Sequence, residues 1–240
     1  MTGQTTAAPA SNAFRLTDPR IGVLLAALLG TTALTAVLGI TDTAAPLSYP
    51  SRFLVWNLFL AWIPLGFAFA FVGVRRRIWL VPLGVAWLAF LPNAPYLVTD
   101  LVHLRHGYEL WRHVLQYGFA AWTGIVLGVV SMRLIHRRLT AEFGRAVGWA
   151  AMAVTVALCA VGVVIGRFQR WNSWDLVHRP EAVVAGTFDW VRNPFSHVES
   201  TGVGLAVAAF LALAYLTLWA YEAVAALPRR TPDLPHQPLS

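Results

Sequence analysis

Asp100 and His103 stand three residues apart in LPNAPYLVTDLVHL, the stretch from residue 91 to residue 104. If a helix restarts at Thr99, their side chains share a face. Such a pair could ligate a metal ion, or the carboxylate could orient the histidine as a base. Two plainer roles compete: Asp100 as a helix N-cap, and His103 as a polar residue at an interface. Continuing by threes reaches His106 and Glu109. That series drifts by about 60° per step around a helix, so a straight helix cannot aim all four groups at one ion. The D-x-x-H pattern alone does not select a reaction.

A second polar stretch, GRFQRWNSWDLVHRP, covers residues 166 to 180. Arg167 and Arg170 are three apart and Trp171 and Asp175 four apart, so each pair shares a face if a helix continues. The guanidinium forks fit anions, and they are natural partners for Asp100 and Asp175. In partial burial, such ion pairs hold loops together as often as they bind anionic substrates. Trp171 and Trp174 bracket an Asn-Ser pair beside the arginines, and could line a cleft for an apolar tail or a ring. The sequence contains no H-E-x-x-H, G-x-S-x-G, P-loop or cysteine-rich metal spacing.

The elements that must position these residues are apolar. Of 240 residues, 58% are hydrophobic and 12% charged, and mean hydropathy is +0.60. A soluble domain is roughly a quarter charged, so the lipid bilayer is the expected partner of most of this chain. Six segments, at 21–40, 53–74, 78–98, 114–132, 146–166 and 201–221, approach the ~20 residues that cross a bilayer. The expected fold is all-α, a polytopic bundle of six transmembrane helices over 19–222. Polar tails at 1–18 and 223–240 are expected to be disordered. Arg15 and Arg20 precede the first segment in the manner of a signal peptide, but its apolar stretch is long for one and TDTAAP is a mediocre cleavage site. No repeat of 20–50 residues is visible. Cys159, the single cysteine, reads as a small packing residue within an apolar run.

All 18 basic residues are arginine, and the net charge is +7. They flank apolar runs and form no basic domain, so they point to topology and not to nucleic acid. With both termini in the cytoplasm, 11 arginines fall inside and 7 outside, while 4 acidic residues lie inside and 7 outside. The short RRR loop at 75–77 then faces the cytoplasm.

This topology puts the unusual residues at one level. Ile78 to Leu91 makes 14 apolar residues, about 21 Å of helix, so the PNAP sequence breaks the third helix inside the ~30 Å hydrocarbon layer. Prolines remove backbone donors, and lipid tolerates the freed groups only where protein or a water-filled cavity meets them. Asn93 can supply hydrogen bonds there. Asn57 lies two turns below the outer end of the second helix, with Pro64 further in, and Trp122 and Thr123 sit in the outer half of the fourth. In the outer loop, Pro180 can open a helix over 180–191 with Val184, Phe188 and Val191 on one face. Such a helix would lie on the membrane surface, anchored by Trp190.

LPNAPYLVTDLVHL, AWTG and RFQRWNSWDL, in this order among hydrophobic segments, resemble the bacterial integral-membrane family called domain of unknown function 1361, over most of residues 50–222. The matching positions are Asn93, Pro95, Tyr96, Asp100 and His103, then Arg167, Arg170, Trp171, Asn172, Trp174 and Asp175. The resemblance implies a multi-pass bacterial membrane protein and supplies no reaction. The expected function is a polar pocket at the extracytoplasmic face, acting as a binder or membrane-embedded enzyme on a lipid-like or small anionic ligand. His103, Asp100 and Asp175 are its catalytic candidates. Asn57, Asn93, Tyr96, Arg167, Arg170, Trp171, Asn172 and Trp174 are its ligand-binding candidates. A transporter using the broken helix and an assembly scaffold are the alternatives. The patterns specify no metal, cofactor or oligomeric state.

Overall fold

A computed structural model describes residues 19–41, 49–104, 110–171 and 175–227. The expected tail at 1–18 and residues 228–240 of the one expected at 223–240 lie outside the described residues, as do His106, Glu109, Asn172, Trp174 and the side chain of His103. Residues 223–225, expected in that tail, instead continue the last helix, which ends at Ala225. The described chain is all-α, without strands. Its helices are α1 (Pro19–Ile40), α2 (Tyr49–Gly73), α3 (Leu80–Phe90), α4 (Asn93–Thr99), α5 (Leu110–Phe143), α6 (Arg145–Val164), α7 (Asp175–His178), α8 (Pro180–Arg192) and α9 (Val198–Ala225). Six stretches are long and apolar enough to cross a membrane: Pro19–Ile40, Arg52–Gly73, Arg77–Val102, Leu110–Phe143, Arg145–Gln169 and Phe195–Ala225. The protein is a polytopic bundle of six such helices, the third broken into α3 and α4.

α5 is the central post and packs against α1, α2, α4, α6 and α9. Its 34 residues reach about 51 Å, well past the expected 114–132 and past the ~30 Å hydrocarbon layer. Residues 133–143 therefore belong to a helix, although their charges suggested a loop. Their charges are paired: Arg133 with Glu222 on α9 at 2.6 Å, and Arg138 with Glu142 one turn on along α5 at 2.9 Å. Glu142 also holds Arg77 at 2.8 Å. The helix stops where Gly144 takes φ 91°, a conformation side chains resist.

Few charges remain for the bundle interior, so hydroxyls and indoles tie α1, α2, α3 and α5 together. Thr31 and Thr123 share a hydrogen bond of 2.6 Å, and Trp62 Nε1 donates to Thr32 at 3.1 Å. Trp87 Nε1 donates to Ser131 at 3.0 Å. Each bond leaves no polar group facing lipid. Trp122, beside Thr123, points outward and is exposed.

The break consists of a turn at Leu91 and Pro92. Leu91 and Pro92 keep near-helical dihedrals, φ/ψ −55°/−37° and −57°/−23°. What fails is the bonding ladder: Ala94 N reaches back only to Leu91 O, three residues away. Asn93 Nδ2 donates to Phe90 O at 2.9 Å, replacing a backbone donor with an amide. α4 then starts at Asn93, so Pro95 occupies its first turn, where no N–H is needed. The helix restarts there and not at Thr99. Asp100 consequently lies at the C-terminal end of α4 and is not its N-cap.

Protein fills the space around the break. Leu91, Ala94 and Leu97 are fully buried. A Cβ on Gly124 of α5 would meet the Ala94 carbonyl oxygen at 2.5 Å, and one on Gly162 of α6 would meet Pro92 Cγ at 2.5 Å. Only glycine permits these approaches. The kink is seated in two glycine notches.

Candidate functional site

Beyond the break, α4 carries Tyr96 and Asp100 towards the end of the bundle where α6 exits. Asp100 is 1% exposed. Its Oδ1 accepts from Arg167 Nη1 at 3.2 Å, and its Oδ2 accepts from Asn57 Nδ2 on α2 at 3.3 Å. Three separate transmembrane segments are thus joined at one carboxylate. The Arg167 guanidinium also lies 5.9 Å from the centre of the Tyr96 ring, within cation–π range. A buried carboxylate with both oxygens engaged is held in one place.

Arg167 reaches Asp100 because α6 changes its winding. From Ile165 to Gln169 the chain forms a π-turn, which ends at Arg170 with φ 59°. A left-handed non-glycine residue costs about 1–2 kcal/mol, so the surroundings must enforce it. The wider turn separates the side chains of neighbouring residues. Arg167 faces α4 and Asp100, Gln169 faces α8, and Arg170 is exposed, though still near enough to act electrostatically on Tyr96.

On the α8 side of the π-turn lies a cavity of about 410 Å³. Val164, Phe168, Gln169 and Trp171 form one wall, Ala182, Gly186, Asp189 and Trp190 of α8 the second, and His197 and Ser200 the third. Gln169 Nε2 donates to Gly186 O at 3.1 Å, while Gln169 Oε1 is buried without a hydrogen-bond partner. A Cβ at position 186 would come within 2.7 Å of that oxygen. Trp190 Nε1 donates to Ser200 Oγ at 3.1 Å, and Ser200 Oγ donates to the His197 carbonyl at 3.0 Å. His197 Nε2 and Asp189 Oδ2 are 3.5 Å apart, and Asn193 Nδ2 donates to the other Asp189 oxygen at 3.2 Å.

The structure therefore brings together Asn57, Tyr96, Asp100 and Arg167, and sets Trp171 on the neighbouring cavity wall. Asn93 turns back onto the break and takes no part. Asp175 opens α7, accepting the Arg179 N–H on its carbonyl at 2.8 Å. α8 begins at Pro180, and Val184 and Phe188 on it are exposed.

Two groups escaped the sequence reading. Gln169, Gly186, Asp189, His197 and Ser200 carry no spacing that announces a site, since they come from three elements. The second group lies at the opposite end of the bundle. There Arg133 binds Glu222, His136 Nδ1 pairs with the Tyr215 hydroxyl, and Trp149 stacks edge-on against both rings. Arg133 is directed at that same hydroxyl. The signal was present as Arg133 and His136 three apart on a helix, but their charge reads as topology. Among the described residues, no three His, Cys, Asp or Glu side chains converge as a metal site.

No curated protein and no solved structure matches this chain. The family model described as "Protein of unknown function (DUF1361)" matches residues 56–215, a range that includes the break, Asp100, the π-turn and α8. With two-thirds of its length covered by that model, the chain belongs to the DUF1361 family.

Proposed function

We propose that this protein binds the polar end of an amphiphile in the cavity between the π-turn and α8, at the extracytoplasmic face of a bacterial inner membrane. The observation that supports this reading is the cavity itself: about 410 Å³, within the usual range for small-molecule sites, walled by two indoles and four polar side chains. The arginine asymmetry supports the orientation, with both termini cytoplasmic.

In this reading Asn57, Asp100 and Tyr96 are positioning residues. They fix Arg167, which fixes the π-turn whose next residues, Phe168, Gln169 and Trp171, form a wall of the cavity. π-turns within helices concentrate at functional sites. Arg170 is exposed next to the wall residue Trp171 and stays a ligand-binding candidate, as do Asn172 and Trp174, which follow it in the sequence. An enzymatic form of the reading would add His103 as base, Asp175 as its acid partner and the two arginines as an anion clamp. The full engagement of Asp100 by Asn57 and Arg167 favours holding over proton transfer. The close packing of Gly124 and Gly162 against the break favours a structural role for it over a transport path.

The test is retention of native lipid. Protein purified in mild detergent, extracted and analysed by mass spectrometry should carry a discrete amphiphile at near-stoichiometric amount, and Ala182→Phe, which fills the cavity, should lose it. Wild-type protein carrying only the bulk membrane lipid mixture would end the proposal.

A further inference from the structure

The cavity wall also speaks to the chemistry of the head group, given that the binding reading above holds. We propose that the head group is neutral and hydroxyl-bearing, of the glycosyl or polyol type, and is presented by a lipid. Among the described residues no arginine lines the cavity, and the carboxylate that does is Asp189. Arg167, the nearest buried cation, is turned away and spent on Asp100. A phosphate head group would therefore meet a carboxylate where it needs a guanidinium.

The polar atoms of the wall ask for donors. Gln169 has used its NH₂ on Gly186 O and keeps a buried oxygen without a partner. Leaving such an acceptor unsatisfied costs about 1–3 kcal/mol. A quaternary ammonium has no hydrogen to offer it, so aromatic walls alone do not make this a choline site. A hydroxyl can donate to Gln169 Oε1 or to the Asp189 carboxylate and accept from His197 in turn, while Ser200 spends its hydrogen on the His197 carbonyl. Trp171 and Trp190 supply flat apolar surfaces against which the C–H face of a sugar ring packs.

The source is argued from the rim. Phe168, which lines the cavity, is itself exposed, and Phe195, two residues before the lining residue His197, is 92% exposed at the start of the last membrane-spanning stretch. These side chains continue the lipid-facing surface up to the opening. The cavity holds a head group while acyl chains lie along that surface.

The experiment is native mass spectrometry of the full chain in a polyoxyethylene detergent, because maltoside detergents carry the head group in question. Equimolar monoglucosyl-dioleoylglycerol, dioleoyl-phosphatidylglycerol and dioleoyl-phosphatidylethanolamine are offered together. Wild-type protein should retain the glucosyl lipid about tenfold over either phospholipid, roughly the worth of one satisfied buried hydrogen bond. Gln169→Leu should remove most of that preference, and Trp171→Leu provides the same test if the first variant does not fold. Octyl glucoside should displace the lipid at concentrations where free glucose does not; equal displacement by glucose overturns the lipid source. Equal or better retention of either phospholipid, abolished by Ala182→Phe, overturns the head-group assignment and leaves the binding reading standing. Retention of every lipid unchanged by Ala182→Phe overturns both.

Discussion

Removing one member of the Asp100–Arg167 pair should unbalance three helices at once. Asp100 is 1% exposed and the Arg167 side chain 18%, so the two single variants differ in what they strand. Arg167→Met leaves a carboxylate with almost no access to water and no guanidinium beside it. Asp100→Asn leaves a guanidinium that water can partly reach and that still faces Tyr96. Breaking a buried pair from one side costs about 3–5 kcal/mol. Arg167→Met belongs at the upper end of that range and Asp100→Asn at the lower end. The double variant strands no charge, so it should lose less than the sum of the singles, with a coupling of about 2–3 kcal/mol. Reversible unfolding by dodecyl sulfate in mixed micelles, followed by far-ultraviolet circular dichroism, gives all three differences. Single losses that add to within about 0.5 kcal/mol, or a silent Asp100→Asn, would refute the clamp.

The glycine notches make a steric prediction. Gly124→Ala and Gly162→Ala should each cost about 1–3 kcal/mol by overpacking, whereas Gly22→Ala, which has nothing within 4 Å of its new methyl, should be neutral or gain up to about 1 kcal/mol; the same unfolding assay ranks them. At the opposite end, Tyr215→Phe should cost about 1–3 kcal/mol, because it strands His136 Nδ1, and a loss below about 0.5 kcal/mol would place that hydroxyl outside the network. In a Cys159→Ala background, an impermeant thiol reagent applied to intact cells should label Asp175→Cys and spare Arg76→Cys. The reverse pattern would invert the proposed orientation.

The six spans were legible because lipid imposes a length and a composition on any crossing helix, and α1, α2, α6 and α9 satisfy both in uninterrupted runs. The site of the break was legible for the same kind of reason: Pro92 and Pro95 cannot donate, whatever surrounds them. Its surroundings were not. Whether protein or water meets a freed carbonyl depends on Gly124 and Gly162, which lie 30 and 70 residues downstream of Ala94 and Pro92 and look like ordinary small residues in a membrane helix. α5 outran its expected end because Arg133 and Arg138 find acids on α9 and one turn along their own helix. Charge composition gives no hint of that pairing. The cavity was hidden for a third reason. Its wall depends on a π-turn, and one extra residue in a helical turn redirects Gln169 away from Arg167 in a way no 3.6-residue spacing anticipates.

The break and the cavity are linked by a chain of contacts, and this answers why a membrane helix would interrupt its own bonding. A straight continuation of α3 would keep its C-terminal half where its hydrogen bonds pointed. The kink instead lays α4 against the bare backbone of Gly124 and seats Pro92 on Gly162, which draws α4 in between α5 and α6. Only then does Asp100 stand within 3.2 Å of Arg167. That bond takes a residue from the middle of the π-turn and fixes it to α4, so that Phe168 and Gln169 must face the other way, towards α8. Two lost backbone donors are exchanged for a placed arginine, and the placed arginine determines which residues are left to line the cavity. On this account the strongest unusual motif in the sequence lies outside the binding wall and controls its shape. Asp100→Asn should therefore weaken retention of the amphiphile even though Asp100 is not among the residues that line the cavity.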